Sequence, residues 1–125
     1  MTPGLPLFVY GTLLSSGAQG GLLQGLRRAD ATVRGSLWRL PAGYPALQLG
    51  LDGVAYGELV YTPGPRLLQL LDHYEGVADG LYSRVEISVV VGLLQERAWA
   101  YVMENPRLRG GRRITSGRWV PRRST

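Results

Sequence analysis

Residues 82–103 read YSRVEISVVVGLLQERAWAYVM, and this stretch decides the fold. Tyr82 to Val91 and Glu96 to Met103 are rich in the β-branched and aromatic side chains that strands prefer. Gly92, Leu93 and Leu94 lie between the two segments, as in the turn of a β-hairpin. The stretch therefore predicts two antiparallel strands near the end of the chain.

The segments before this hairpin alternate between strand and helix patterns. Strands are predicted at residues 5–10, 31–40, 46–51 and 54–61, and residues 41–45 (PAGYP) read as a turn. Residues 20–28 space three leucines like one face of a short helix, and a longer helix is expected to carry the leucines of 67–71, opened by Pro63 or Pro65 and capped by Thr62. This order predicts an α+β fold, a small, mixed and mostly antiparallel curved sheet or barrel with flanking short helices.

The length and composition describe an ordinary globular chain. Its 125 residues are expected to form one domain, residues 1–125, in which residues 120–125 are a basic tail. No apolar run approaches the roughly 20 residues of a membrane span, and Met1 to Leu7 lacks the features of a signal peptide. We therefore expect a cytoplasmic protein that does not enter a membrane.

The positive charge is concentrated at the C-terminal end. All 14 basic residues are arginines, and seven of them follow Glu104 in a stretch without acidic residues. Such a segment could contact nucleic acid phosphates. However, Trp119 is its only aromatic residue, whereas single-strand binders interleave aromatic and basic side chains. Nucleic-acid binding is therefore kept only as an alternative.

Few residues in this chain can perform catalysis. There is no cysteine and one histidine, so thiol chemistry, a Cys-built zinc site and a multi-histidine metal site are excluded, and neither a metal nor a cofactor is expected. The remaining candidate chemistry is acid–base catalysis by a carboxylate. In LLQLLDHYEG, residues 67–76, Glu75 lies four residues after Leu71, on the apolar face of the predicted helix. Burial would raise its pKa toward neutrality; alternatively, Glu75 bonds backbone amides of residues 76–80 or points to solvent.

A second candidate site is the turn after the first strand, Tyr10-Gly11-Thr12-Leu13. A glycine turn at a strand end can expose consecutive backbone N–H groups that hold a carboxylate or an oxyanion, although an ordinary turn has the same pattern. Glu58 and Glu86 are expected to pair with arginines. Tyr82 and Arg84 share one face of their strand, where they either reach a common site or only pack.

Together these segments resemble the gamma-glutamylcyclotransferase-like family, in particular its gamma-glutamylamine cyclotransferase branch. The resemblance rests on LFVYGTL at 7–13, VAYGELVY at 54–61, LLDHYEGVADGLYSR at 70–84 and SGRW at 116–119. It runs from about residue 5 to 120, and YGTL followed by LDxxEG and YxR is quite specific. Arg118 differs, since the family often has an acidic residue before the tryptophan.

The resemblance implies both a reaction and its residues. It implies conversion of a gamma-glutamyl amine or peptide to 5-oxoproline and a free amine, with Glu75 as general acid/base. It implies that Tyr10, Gly11, Thr12 and Leu13 bind substrate, with Tyr44 of the GYPA segment and Tyr82 beside them. The alternative is a binding module on the same fold that does not turn its ligand over. The identity of the leaving amine, the oligomeric state and the role of the arginine-rich end stay open.

Overall fold

The computed structural model describes residues 4–11, 13–14, 20–61, 63–76 and 80–120. The elements in this part of the chain are, in order, β1 (Leu7–Val9), a 3₁₀ turn (Gly20–Leu23), β2 (Arg28–Arg39), β3 (Pro45–Val60), α1 (Pro65–Tyr74), β4 (Ser83–Val91), β5 (Leu94–Val102), a second 3₁₀ turn (Pro106–Arg109) and β6 (Arg112–Ile114). None of the described helices is long and apolar enough to cross a membrane.

The strands form one sheet that closes on itself. Its order is β3-β1-β5-β4-β2-β6, and β3 also pairs with β2, so β1 to β5 form a barrel and β6 extends β2. β1 runs parallel to β5, and the other pairings of described strands are antiparallel. The predicted α+β fold, a mixed and mostly antiparallel barrel with flanking helical segments, is confirmed.

Alternation along the strands separates two hydrophobic cores. Phe8 packs with buried residues of all the other barrel strands, among them Leu37, Leu59 and Val89. Its neighbours Leu7 and Val9 point the other way, into a second core that includes the buried leucines of α1, Leu68 and Leu71. A three-residue strand therefore contributes to both cores, because successive side chains of a strand point to opposite faces.

β1 fits between its neighbours because β3 carries a glycine opposite it. A Cβ atom on Gly57 would lie 2.1 Å from the Val9 carbonyl oxygen and 2.8 Å from the Phe8 ring. Any side chain at this position would push β1 out of the sheet. The glycine of the VAYGELVY segment is therefore a packing requirement of the barrel.

Several predicted bounds differ from the structure. The helix predicted at 20–28 is only a 3₁₀ turn, Gly20–Leu23, because Gly25 has a φ of +86° that stops helical propagation. The strands predicted at 46–51 and 54–61 are one strand, β3, whose pairing with β2 is interrupted by a bulge after Arg34. The hairpin turn is Gly92-Leu93, since Leu94 already pairs with Val91.

The start of the helix and the end of the chain also differ. α1 has Gly64 at its N-cap without a side-chain cap, and Thr62 lies outside the described residues. The arginine-rich segment is more structured than predicted, because β6 pairs with residues 37–39 of β2. There Arg107 stacks on Trp38, Arg118 stacks on Tyr56, and Arg113 pairs with Asp52. Of the predicted tail, residues 121–125 are outside the described part.

We expect Gly57→Ala to lower the free energy of unfolding by roughly 3 kcal/mol or more, because overpacking against backbone cannot relax as it would against a flexible side chain. Urea denaturation of the purified variant measures this. Gly50→Ala on the same strand is the control: nothing lies within 4 Å of its added Cβ. Equal stability of the two variants would contradict the close-approach argument.

Candidate functional site

A cavity of about 560 Å³ opens beside the C-terminal end of β1. Its walls come from β1 and the turn after it, the connection between β2 and β3, the end of α1, the residues just before β4, β5 and the second 3₁₀ turn. The lining residues are mostly apolar or aromatic: Phe8, Val9, Tyr10, Gly11, Leu13, Leu40, Pro41, Ala42, Tyr44, Pro45, Tyr74, Glu75, Leu81, Tyr82, Tyr101 and Arg109.

Glu75 reaches this cavity because it ends the helix on its buried face. It is the C-cap residue of α1, and its backbone N–H bonds the Leu71 carbonyl one turn earlier. Gly76 follows with a φ of +66°, the left-handed conformation that commonly terminates helices. The Leu81 N–H then bonds the Gly76 carbonyl, which returns the chain toward β4. The position that continues the apolar face of the helix is thus occupied by a carboxylate instead of another leucine.

The environment of Glu75 raises its pKa. Burial in the cavity wall removes water from the carboxylate and raises its pKa from 4.5 to about 7. Within the described part of the chain, no arginine pairs with this carboxylate and no group donates a hydrogen bond to it. Both protonation states are therefore populated near neutral pH, as an acid–base group requires.

Three tyrosines around the cavity have their phenolic protons engaged elsewhere. Tyr10 donates to the Tyr101 carbonyl oxygen at 2.7 Å, Tyr82 to the Pro45 carbonyl oxygen at 2.5 Å, and Tyr101 to an Asp72 carboxylate oxygen at 2.7 Å. Burial is the main reason that the pKa of each phenol is raised. These three phenols are neutral hydrogen-bond donors that fix the walls of the cavity.

Asp72 fastens the helix to the barrel. Arg84 of β4 binds it with two hydrogen bonds, 2.7 Å and 3.0 Å, and Tyr101 of β5 adds a third. Although partial burial opposes ionisation, the hydrogen bonds from Arg84 and Tyr101 lower the pKa of Asp72. The guanidinium of Arg84 also stacks on Trp99 at 4.5 Å. This network positions the end of α1, and hence Glu75, over the cavity.

The turn after β1 is held from two sides. A Cβ atom on Gly11 would lie 2.3 Å from Pro45 Cγ, so only glycine lets the turn reach the β2–β3 connection. On the other side Arg28 donates to the Leu13 carbonyl at 3.1 Å and pairs with Glu58 at 2.8 Å. The glutamate of VAYGELVY therefore acts through Arg28 to fix the turn, and the predicted pairing of Glu58 with an arginine is confirmed.

The structure brings the described site candidates into one place. Glu75, Tyr10, Gly11, Leu13, Tyr44 and Tyr82 all line the cavity, whereas Thr12 lies outside the described residues. Tyr82 and Arg84 do not share a site: Tyr82 faces the cavity and Arg84 holds Asp72. His73 is exposed on the helix, and Glu86 pairs with Arg97 away from the cavity.

Sequence reasoning missed Arg109 and the turn residues Leu40, Pro41 and Ala42 of the cavity wall. Arg109 was predicted only as one of seven arginines near the C-terminal end, because the pairing of β6 with β2 cannot be predicted from local sequence. The flanking Asn105-Pro106 and Gly110-Gly111 pairs were the available sign of an ordered turn. Among the described residues, no cluster of three histidine or acidic side chains could hold a metal ion.

Comparison with known families agrees with this arrangement. A family model described as gamma-glutamyl cyclotransferase, AIG2-like, matches residues 7–121. The comparison with curated proteins returned no significant match.

Solved structures show the same fold. YkqA from Bacillus subtilis superposes with a TM-score of 0.74 at 25% identity, over 92% of this chain and 39% of the other. This chain thus spans well under half of that protein. An uncharacterized protein from Pyrococcus horikoshii has a TM-score of 0.68 at 20% identity, covering 92% and 89%. An AIG2-like protein from Mus musculus has a TM-score of 0.58 at 20% identity, covering 80% and 77%.

We expect Glu75→Gln to stabilise the protein at about pH 8. Because the pKa of Glu75 is higher in the folded state, the wild type loses stability as pH rises from 4.5 through about 7. At roughly 1.4 kcal/mol for each pH unit between 4.5 and about 7, this loss is about 3 to 3.5 kcal/mol. Denaturant titrations at several pH values measure it, and the variant should lack this component.

Glu104→Gln, at an exposed position outside the cavity, is the matched control. It leaves the Glu75 carboxyl in place and should keep the wild-type slope of stability against pH. A Glu75→Gln curve that coincides with the wild type would show that the carboxylate is not desolvated.

We expect Arg84→Gln to destabilise the fold by roughly 2 kcal/mol, because it leaves the partly buried Asp72 carboxylate without its cation. Arg97→Gln is the control from the same hairpin and should cost less than about 0.5 kcal/mol. The Arg97–Glu86 side chains are 54% and 46% exposed, against 22% and 26% for Arg84–Asp72. Thermal or urea unfolding distinguishes them, and equal losses would refute the anchoring role of Asp72.

Proposed function

Because the chain belongs to the gamma-glutamyl cyclotransferase, AIG2-like family, we propose that it converts a gamma-glutamyl amine or peptide to 5-oxoproline and a free amine. The observation that carries this proposal is Glu75, the one carboxylate among the described residues of a mostly apolar cavity, with a pKa near neutrality. The proposed catalytic residue is Glu75. Tyr10, Gly11, Thr12, Leu13, Tyr44 and Tyr82 are the proposed substrate-binding residues.

The reaction requires little machinery because both reacting groups belong to the same substrate. The α-amine of the gamma-glutamyl group attacks its own side-chain amide carbonyl and closes a five-membered ring. Tethering of this kind supplies effective molarities of roughly 10⁵ M or more when the groups are aligned. The protein needs to fold the substrate into the attacking conformation, hold the charge that develops on oxygen and move protons.

Glu75 performs the proton transfers. As the carboxylate it accepts a proton from the α-ammonium, so that the nitrogen lone pair can form the new bond to the amide carbon. The tetrahedral intermediate then collapses and the bond to the leaving nitrogen breaks, while Glu75 returns a proton to that nitrogen. The ring nitrogen loses its second proton through Glu75 to the departing amine, which leaves as the ammonium ion, and Glu75 is again a carboxylate. A pKa of about 7 suits both steps, since the group is neither permanently charged nor permanently protonated.

The turn after β1 holds the glutamyl half of the substrate. Its backbone is fixed by the contact of Gly11 with Pro45 and by the Arg28–Leu13 hydrogen bond. In the proposal, backbone N–H groups of residues 10–13 bind the α-carboxylate or the developing oxyanion, which fixed donors stabilise without reorganisation. The rings of Tyr44 and Tyr82 form walls against which the substrate chain folds.

We expect Glu75→Gln to reduce turnover of a gamma-glutamyl amide by roughly 10²- to 10⁴-fold, since the amide keeps the shape of the side chain but cannot exchange the proton. Release of 5-oxoproline, followed by chromatography, is the measurement. In the wild type, kcat/KM should rise with pH through a limb near pH 7, set by ionisation of Glu75.

His73→Gln is the control, because His73 lies two residues away on the exposed side of the helix. It should retain wild-type turnover. Unchanged turnover in Glu75→Gln would remove the assignment of Glu75. Saturable binding of gamma-glutamyl compounds without any product would instead support a binding module on this fold.

A further inference from the structure

Arg109 is the second charged side chain at the cavity. Among the described lining residues, Glu75 and Arg109 alone carry a charge, and the others are apolar, aromatic or glycine. The proposed reaction uses Glu75 and the turn after β1, so it leaves this cation without a role. Arg109 comes from a different segment, the second 3₁₀ turn, and it lines the cavity on that side.

The backbone around Arg109 is firmly placed. Pro106 is fully buried, and the Gly111 N–H bonds its carbonyl at 2.9 Å. Gly110, with a φ of +81°, packs against Pro41, where an added Cβ would lie 2.9 Å from Pro41 Cγ. The 3₁₀ turn therefore rests on the β2–β3 connection, and Arg109 projects from a fixed point of the cavity rim.

The side chain of Arg109 differs from those of the neighbouring arginines. Arg107 stacks on Trp38 and Arg113 pairs with Asp52, whereas no described carboxylate pairs with Arg109, which is exposed. Its charge acts on the Tyr82 phenol, where it opposes the rise in pKa that burial causes. Arg109 therefore lines the cavity with its charge within electrostatic reach of the Tyr82 wall.

We propose that Arg109 determines specificity for the leaving half of the substrate by binding a carboxylate on the departing amine. The preferred substrates are then gamma-glutamyl amino acids rather than gamma-glutamyl derivatives of simple alkylamines. This inference rests on the proposed function, in which the glutamyl half occupies the turn after β1. A guanidinium that binds a carboxylate through two parallel hydrogen bonds gives both affinity and orientation.

The test compares two substrates that differ only in that carboxylate, L-γ-glutamyl-L-alanine and L-γ-glutamyl-ethylamide. For the wild type we expect kcat/KM to be roughly 10- to 100-fold higher with the dipeptide, the range expected for a hydrogen-bonded charge pair. Arg109→Gln should abolish this preference by lowering the dipeptide value and leave the ethylamide value unchanged. Arg112→Gln, at an exposed position of β6 outside the cavity, is the control and should keep the wild-type ratio.

A charge-reversal variant distinguishes a change of specificity from a loss of folding. Arg109→Glu should turn over the cationic N-(2-aminoethyl) amide of the gamma-glutamyl group better than the wild type does, while losing activity on the dipeptide. If both neutral and anionic substrates yield 5-oxoproline with the same ratio in wild type and Arg109→Gln, the specificity role is wrong and the proposed function stands. If neither substrate yields 5-oxoproline, the proposed function fails and this inference fails with it.

Discussion

The Asp72 carboxylate connects the helix that carries Glu75 to the barrel. It receives two hydrogen bonds from Arg84 of β4 and one from Tyr101 of β5, and the Tyr101 carbonyl in turn accepts the phenolic proton of Tyr10. Two strands, the turn after β1 and the helix therefore meet through one partly buried chain of polar groups. Polar networks of this kind fix geometry more strictly than apolar packing, because each member has few alternative partners. The position of Glu75 depends on this connection.

The sequence predicted the elements of the barrel but not their junctions. The hairpin, the first strand and the helix were found because periodicity and turn residues are local signals. The single long β3 was predicted as two strands because the exposed residues 49–54 interrupt its buried pattern, and β6 was missed because a strand of three arginine-rich residues is recognised only by its pairing with β2. The close approach of β1 to Gly57 is likewise a property of the assembled sheet.

The residues of the candidate site were likewise predictable only in part. Glu75 could be singled out because a carboxylate on a leucine stripe conflicts with the local pattern, and conflicts of this kind concentrate at functional positions. The turn at 10–13 was a candidate from its glycine pattern, and the resemblance to a known family added its substrate-binding role and those of Tyr44 and Tyr82. Arg109 had no such signal, because it is one arginine among seven near the C-terminus and only the return of the chain brings it to the cavity. Glu75 could therefore be predicted from the sequence, whereas the position of Arg109 at the cavity could not.

Closure of the barrel has a consequence for behaviour in concentrated solution. Strand edges with unpaired backbone groups recruit other chains into extended sheets, and natural proteins protect such edges with charge and short length. Here β3 pairs with both β1 and β2, so each strand of the barrel has a neighbour on both sides. The strand β6 adds an edge of three residues that carries Arg112 and Arg113. The positive charges of these arginines thus oppose edge-to-edge pairing at the end of the sheet. This effect favours solubility and is independent of any reaction in the cavity.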